Sequence, residues 1–282
     1  MSHITGSTRV FFILGDPVVQ VRAPEVFNHL FAQHGIDAVL VPLKLPASAL
    51  AAFLKHGLAA ENVGGCWATM PHTTALFEAL QPSDPVAVVA GAVNAVRRHA
   101  DGSLEAALFD GIGFVKGLDH FGIAVGGRKV LVVGAGGGGQ AVAAALAQRQ
   151  PAVLDIHNRT RTKAVALVQR LAGLTSARVA DSNSPAGYDI IVNCTSQGLK
   201  PGDDMPFDPA QADAGAAVVD IIMSREPTAL LRAARARGLH AEAGFEMLVQ
   251  QVPEYLRFFG YSELATSLQA DLSSVRKLLA PK

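Results

Sequence analysis

Only two cysteines, Cys66 and Cys194, occur in 282 residues. That is too few for a disulfide framework, so both read as small buried residues of a reducing compartment. Net charge is also missing: 24 Lys and Arg stand against 24 Asp and Glu. That balance argues against a nucleic-acid-binding surface, which usually shows a basic stripe. No run of about 18 apolar residues offers a membrane span. The opening MSHITGSTRV lacks the apolar core of a secretory leader. His29, His34, His56, His99, His120, His157 and His240 show no metal-ligand spacing, and neither cysteine has a ligand set around it, so no metal site is expected. The expectation is a soluble cytoplasmic protein with a small-molecule substrate and no nucleic-acid or membrane partner, a monomer or a homodimer.

What is present is apolar residue, half of the chain, and enough length for about two domains. The first stretch reads as strands at 9–14, 38–43 and 64–70 alternating with helices at 25–34, 47–58 and 72–80. A short apolar element at 86–91 follows. Strands at 92–96 and 104–109 then form a hairpin on the Asp101-Gly102 turn. Such alternation implies a mostly parallel sheet. A helix from Asp110 bridges to a second half, read as strands at 129–133, 152–157, 178–180, 189–193, 217–222 and 239–241 with helices at 138–149, 160–171 and 226–237. From Phe245 onward the pattern is helical, with final helices at 245–259 and 262–279.

Gly134-Ala135-Gly136-Gly137-Gly138-Gly139 lies between the strand Arg128–Val133 and the Ala-rich helix that opens at Gln140. Strand, glycine turn and helix start, in that order, are what a dinucleotide requires. Gly134 permits the tight turn, Gly136 the approach of a pyrophosphate, and Gly139 close packing of helix on strand. The helix N-terminus adds free N–H groups and partial positive charge. The alternative is a flexible turn in an α/β domain.

The end of the next strand decides which nucleotide. An acidic residue there would bind a ribose 2′-hydroxyl and favour NAD. Asp155 is near the usual distance but precedes the strand end by two or three positions. The end itself is Asn158-Arg159-Thr160, with Arg161 and Lys163 beyond. An amide, a guanidinium fork and a hydroxyl suit a 2′-phosphate, so NADP is favoured over NAD. The alternative is a solvated basic helix start. Thr195 and Ser196 follow the apolar strand 189–193, a position at the carboxyl end of an open sheet where cofactors are met.

The chain resembles the shikimate/quinate dehydrogenase family almost end to end. The matching residues are Gly15-Asp16-Pro17-Val18 and Pro24; Thr69 and Pro71; Gly91-Ala92-Val93-Asn94; Asp110-Gly111 with Gly113-Phe114; Gly134-Ala135-Gly136-Gly137; Asn158-Arg159-Thr160; Asn193-Cys194-Thr195-Ser196 with Gly198; Asp220; and Gly244 with Met247-Leu248-Val249 and Gln251. The resemblance implies an α/β fold of two domains. One is an N-terminal α/β substrate domain over 1–110, completed by C-terminal helices of 244–282 packing back on it. The other is a doubly wound Rossmann NAD(P)-binding domain over 111–243, with the site in the cleft. It implies reversible hydride transfer between a nicotinamide and a ring alcohol or carbonyl, with a Lys–Asp pair handling the proton. Carried over by position, Asp110 is the retained acid/base. Thr69, Asn94 and Gln251 are substrate residues. Gly134–Gly139, Gln140, Asn158, Arg159, Thr160, Lys163, Thr195, Ser196, Ile221, Gly244 and Met247 are cofactor residues.

The departures lie at the substrate. Val21 and Ala23 stand where the family has two serines that hold the substrate carboxylate. Trp67 replaces an Asn, Thr73 the catalytic Lys, and Met223 a Tyr. Without donors a carboxylate pays desolvation that nothing offsets, so the expected ligand is less polar at that end and shikimate a poor substrate. Thr73 can donate a hydrogen bond but has no useful pKa, and His72 beside it is of the residue type suited to proton transfer at neutral pH. Each residue also has a purely structural alternative: Asp110 and Thr73 as helix caps, Asn94 as a turn-former, Trp67 as core, His72 as a loop residue and Gln251 as a satisfied polar residue. Three functions remain: an oxidoreductase of this family acting on another shikimate- or quinate-like compound, an atypical shikimate dehydrogenase, and a nucleotide-binding sensor that has lost catalysis.

Overall fold

The β-branched and aromatic run Arg9–Gly15 forms β1 in the computed structural model, which describes residues 4–200, 202–224 and 226–280. Pro24 and Glu25 in the first turn start α1 (Ala23–Gln33), which buries Val26, Phe27, Leu30 and Phe31 on one stripe. β2 (Ala38–Lys44) returns parallel to β1. The helix expected over 47–58 is interrupted. A 3₁₀ turn, Ala47–Ala49, leads into α2 (Leu50–Ala52) and then a wider π-type turn, Phe53–Gly57. That turn closes by Leu58 N–H donating to the Phe53 carbonyl at 3.1 Å. β3 (Val63–Ala68) pairs parallel to β1 on its other side.

α3 (His72–Leu80) and α4 (Pro85–Ala90) follow. Asp84 caps α4 by accepting from Val86 N–H at 3.1 Å, and Gly91, with φ of +61°, ends it. β4 (Ala95–Arg98) and β5 (Leu104–Ala107) form the hairpin and extend the sheet antiparallel, giving the order β2-β1-β3-β4-β5. Asp101 holds its turn, accepting from Ser103 N–H at 2.9 Å and the Ser103 hydroxyl at 2.6 Å.

The second unit opens with α5 (Asp110–His120). β6 (Lys129–Val133), α6 (Gly137–Gln148), β7 (Val153–His157), α7 (Arg161–Leu171), β8 (Ala177–Val179) and β9 (Ile190–Asn193) come next. β10 (Ala217–Asp220), α8 (Ala229–Ala236) and β11 (His240–Ala243) complete a parallel sheet of order β11-β10-β9-β6-β7-β8. Two-sided burial explains why β6, β9 and β10 read as continuous Val/Ile/Leu runs. Small residues set the helix packing: a Cβ on Gly111 of α5 would lie 2.4 Å from the Ala141 carbonyl oxygen of α6.

α9 (Phe245–Phe258), α10 (Ser262–Ala270) and α11 (Ser273–Leu279) end the chain. One final helix over 262–279 was expected. It breaks at Asp271, whose backbone is extended and whose carboxylate accepts from both N–H and hydroxyl of Ser273, so it starts a new helix instead. The compact units are Met1–Phe109 with Val252–Ala280, and Asp110–Gln251. The boundaries expected from the sequence fall after 110 and before 244. The first turns of α9 instead pack on α5, where Gly113 and Gly117 leave room for Met247, Gln251 and Glu246. Among the described residues no helix is long and apolar enough to cross a membrane, and no group of His, Cys, Asp and Glu is arranged for a metal.

Candidate functional site

In the second unit the site starts at the end of β6. Gly134 has φ of +113°, and a Cβ there would sit 2.7 Å from the Cys194 backbone, so only glycine fits. A Cβ on Gly139 would lie 2.0 Å from the Gly134 carbonyl oxygen, so α6 begins directly on the turn. At Gly136 and Gly137, by contrast, nothing lies within 4 Å. These two exposed glycines leave open space in front of the N-terminus of α6. Its cap, Gly136, has no side chain to accept from the first-turn N–H groups. A tight turn behind, bare backbone in front and a helix dipole pointing outward fit a pyrophosphate. Gln140 steadies the turn by donating to the Ala135 carbonyl at 3.1 Å.

Asn158 joins this turn to the end of β7. Its Oδ1 accepts from Ala135 N–H at 2.9 Å and its Nδ2 donates to the Thr160 carbonyl at 3.0 Å. Asn158 therefore holds the neighbouring Arg159 and Thr160 in place, and these with Lys163 are exposed. Asp155, weighed above as an NAD determinant, is committed elsewhere. It is buried mid-strand, takes a bidentate pair of bonds from Arg178 at 2.8 Å each, and accepts from the Tyr188 hydroxyl at 2.8 Å. Burial, then the bond to Asp155, push the Tyr188 phenol well above its usual range. With that carboxylate consumed, the exposed groups at the strand end are a guanidinium, a hydroxyl and an ammonium, the donor set for a 2′-phosphate.

The opposite wall is built at the ends of β9 and β10, where Asn193 and Asp220 are in register. Asp220 is fully buried. It accepts from Asn193 Nδ2 at 2.9 Å, Ile222 N–H at 3.1 Å and the Thr228 hydroxyl at 2.7 Å. Burial raises its pKa against the opposing pull of those three bonds. Asn193 Oδ1 in turn accepts from both N–H and hydroxyl of Thr195, at 2.9 and 2.7 Å. One buried network thus shapes the turns carrying Thr195, Ser196 and Ile221. Gly244 lies against Ile221, where a Cβ would be 2.5 Å from its Cα, and Gly138 faces the tip of the Ile221 side chain. Met247 is buried in the first turn of α9, and Met223 is exposed.

Asp110, half-buried, opens α5. Gln251 packs against Gly113 of that helix and is 3 % exposed; its Nε2 has no hydrogen-bond partner. A buried amide donor left open is costly unless a ligand or water completes it.

In the first unit the expected substrate residues gather at the carboxyl ends of β1 and β3. Val21 lies half-buried in the loop after β1, and Ala23 is the first residue of α1. Thr69 follows β3, its methyl packed on Gly15, its N–H donating to the Leu14 carbonyl at 2.9 Å. Thr73 sits half-buried in the first turn of α3. Asn94 is buried, and its Oδ1 accepts from Phe109 N–H at 3.0 Å.

Two residues there take the structural roles that the sequence leaves open as alternatives. Trp67, expected as a substrate residue, is core. It is 2 % exposed and stacks on Phe259 and Tyr255 at 4.1 and 5.4 Å between ring centres, with Phe27 and Phe11 edge-on. His72 is fully buried, its Nε2 at 2.9 Å from the Leu45 carbonyl. It ties the turn before α3 to the exit of β2, and no solvent reaches it for proton relay. Arg22 and Thr228, which bond the main chain of 278–280 and the Asp220 carboxylate, belong to none of the motifs above. The only signal for Arg22 was a cation between two small apolar residues in a loop.

Two family models match this chain. The shikimate dehydrogenase substrate-binding domain matches residues 13–96, and the shikimate/quinate 5-dehydrogenase domain matches residues 118–225. A shikimate dehydrogenase (NADP(+)) of Rubrobacter xylanophilus is 37% identical, with 99% of this chain and 98% of that protein covered. Among solved structures, shikimate dehydrogenase from Aquifex aeolicus has a TM-score of 0.83 at 29% identity, covering 95% of this chain and 100% of that one. The 5-ketofructose reductase of Gluconobacter sp. strain CHM43 has a TM-score of 0.80 at 26% identity, covering 93% and 98%. With the nucleotide turn, the Asn158–Thr160 strand end and the retained Asp110 already in place, these matches establish that the chain belongs to the shikimate dehydrogenase family, NADP-dependent oxidoreductases acting on a CH–OH group.

Proposed function

We propose that this protein interconverts a ring or ketose-type alcohol and its carbonyl with NADP, and that it prefers a substrate uncharged where shikimate carries its carboxylate. When bound, the nicotinamide supplies or takes up the hydride. Gly134–Gly139 and the N-terminus of α6 hold the pyrophosphate, and Arg159, Thr160 and Lys163 the 2′-phosphate. Asp110 takes the hydroxyl proton in the oxidising direction and returns it in reduction. Thr73 offers one hydrogen bond to the reacting oxygen but no titratable group, so proton transfer rests on Asp110 alone. The orphaned Gln251 amide, Thr69 and Asn94 supply the polar contacts.

The observation that carries the preference is the composition of the turns after β1 and β3. Val21 and Ala23 bring no hydroxyl, Thr73 brings no ammonium, and the guanidinium of Arg22 between them is taken up by main-chain carbonyls. A carboxylate there would lose its hydration with no donor in exchange. That one structural relative is named a 5-ketofructose reductase fits a neutral polyhydroxy substrate on this fold. The names of the curated relatives favour the second reading, a shikimate dehydrogenase in the strict sense. A cytoplasmic setting suits the two unpaired thiols, Cys66 buried and Cys194 half-buried.

Steady-state kinetics with shikimate, quinate and 5-ketofructose, each with NADP(H) and NAD(H), decide between the readings. The expected outcome is turnover of the neutral compound with a kcat/KM at least about 100-fold above that for shikimate, the discrimination expected where polar partners are missing. Efficient shikimate turnover would overturn the preference and leave the cofactor assignment standing.

A further inference from the structure

We infer that Arg22 is a positioning residue: it latches the loop Asp16–Arg22 to the C-terminal end of α11 and so makes the chain's last helix a support of the substrate site. The inference rests on the reading above, in which this loop meets the organic substrate.

The guanidinium of Arg22 spends its fork on the main chain some 257 residues away. Nη1 donates to the Leu279 carbonyl at 2.7 Å and to the Ala280 carbonyl at 3.3 Å. Nη2 donates to the Leu278 carbonyl at 2.8 Å and to Glu25 Oε2 at 2.9 Å. The last carbonyls of a helix have no partner within it and carry partial negative charge, so a cation is the group they favour. A planar guanidinium can reach three successive carbonyls; an ammonium on a flexible stem cannot hold them in one geometry. The tail is itself anchored, since Val275 and Leu279 are buried. A fixed tail therefore fixes Arg22, and with it Val21 and Ala23 on either side.

Among the described residues few other contacts hold the loop: at its start the exposed Lys44 Nζ lies 3.8 Å from Asp16 Oδ1. Asp16 N–H donates to the Met70 carbonyl at 3.0 Å at its start, and within it are a bond of 3.3 Å from Val21 N–H to the Val18 carbonyl and one of 3.0 Å from Gln20 to the Pro17 carbonyl. Val19 at its tip is 92% exposed. Arg22 is thus the long-range tie at the loop's far end. The latch has a second consequence: it turns the loop's cation toward the tail and away from any anionic group that Val21 and Ala23 would meet.

The test uses the full chain with Arg22→Gln and Arg22→Lys, read by amide hydrogen exchange and by kinetics on whichever panel compound turns over. For Arg22→Gln, exchange should rise together in 16–23 and 273–280. KM for the organic substrate should rise roughly ten-fold, the size of a small misplacement of a binding group, while kcat and NADPH affinity stay within two-fold. Arg22→Lys should recover part of both effects. Looser exchange confined to 273–280, or a KM that does not move, would overturn the inference, as would a uniform loss of exchange protection with weakened NADPH binding. If no panel compound turns over, the function reading fails separately, and the exchange arm still decides whether loop and tail are coupled.

Discussion

The two units of this chain treat the same inheritance differently. In the nucleotide-binding unit the residues proposed to meet the cofactor sit on a backbone that the surrounding structure supports. Gly134 and Gly139 are sterically obligatory, Asn158 bridges two turns, and Asp220 and Asn193 shape the opposite wall. In the substrate unit the residues that fix backbone geometry survive, while the donors that would grip an anion are gone. Thr69 still packs on Gly15, and Asn94 still holds the turn before α5; Val21, Ala23 and Thr73 bring little polarity or charge. On the substrate preference proposed above, the contrast is that of a cofactor site and a fold kept while the demands of the substrate changed. It also sets the turns that hold backbone geometry, at Thr69 and Asn94, beside the positions Val21, Ala23 and Thr73 that offer a ligand little polarity.

Restoring the lost groups attacks this contrast most directly. The triple variant V21S/A23S/T73K returns two hydroxyls and an ammonium to a backbone that the present residues already hold. General acid–base help is worth about 10²–10⁴-fold, and kcat/KM for shikimate should rise by that order. Thr73→Lys alone should raise kcat with little change in KM, and the paired serines alone should lower KM. A triple variant as poor on shikimate as the parent would mean that the two units do not differ in the way described, and that the backbone of the substrate turns has itself been remodelled.

The second test sharpens the nucleotide side. Arg159→Ala removes an exposed charge-assisted donor at the end of β7. NADP should bind about 10–100-fold more weakly, as expected for hydrogen bonds to a charged group, and NAD should be unaffected. Asp155→Asn is the control. It breaks the bonds to Arg178 and leaves Tyr188 with a poorer partner, so it should lower stability without shifting the NADP:NAD ratio. Cofactor titration with a thermal melt on each variant separates the two. A change of nucleotide preference in Asp155→Asn would return that carboxylate to the site.

The pair also shows how far the sequence could be read. The glycine turn was legible because its signal is local: strand, turn and helix start lie within a dozen residues, and φ at Gly134 is a property of one position. Asp155 was harder, since its distance from the glycines suited a ribose contact and its fate depends on Arg178 and Tyr188, which arrive from elsewhere in the fold. Whether Trp67 is core or pocket wall was not legible for the same reason. Its stacking partners, Tyr255 and Phe259, lie about 190 residues downstream, and periodicity says nothing of them. The latch at Arg22 was invisible for the same cause. The break of the final helix at Asp271 was locally encoded, as an Asp followed two residues later by Ser, but the apolar spacing running through it outweighed that cue.

The two cysteines, one in each unit, offer the finest form of the comparison. Cys66 lies in β3, and burial pushes its thiol up to about 12. Cys194 lies beside Gly134 behind the nucleotide turn, and burial, with the Asp220 carboxylate adding to it, pushes its thiol higher still. The thiolate is the nucleophile, so at pH 8 labelling of folded Cys66 should run roughly a thousand-fold slower than that of a free thiol. What labelling occurs then reports opening of the surrounding structure. A ligand that binds only the closed form suppresses opening in proportion to its saturation: NADPH at ten times its dissociation constant should slow Cys194 by about ten-fold. Cys66, in a strand of the other unit, should label at an unchanged rate. Equal protection of both thiols would show that the units open as one, and the contrast would then belong to their sites alone and not to their stability.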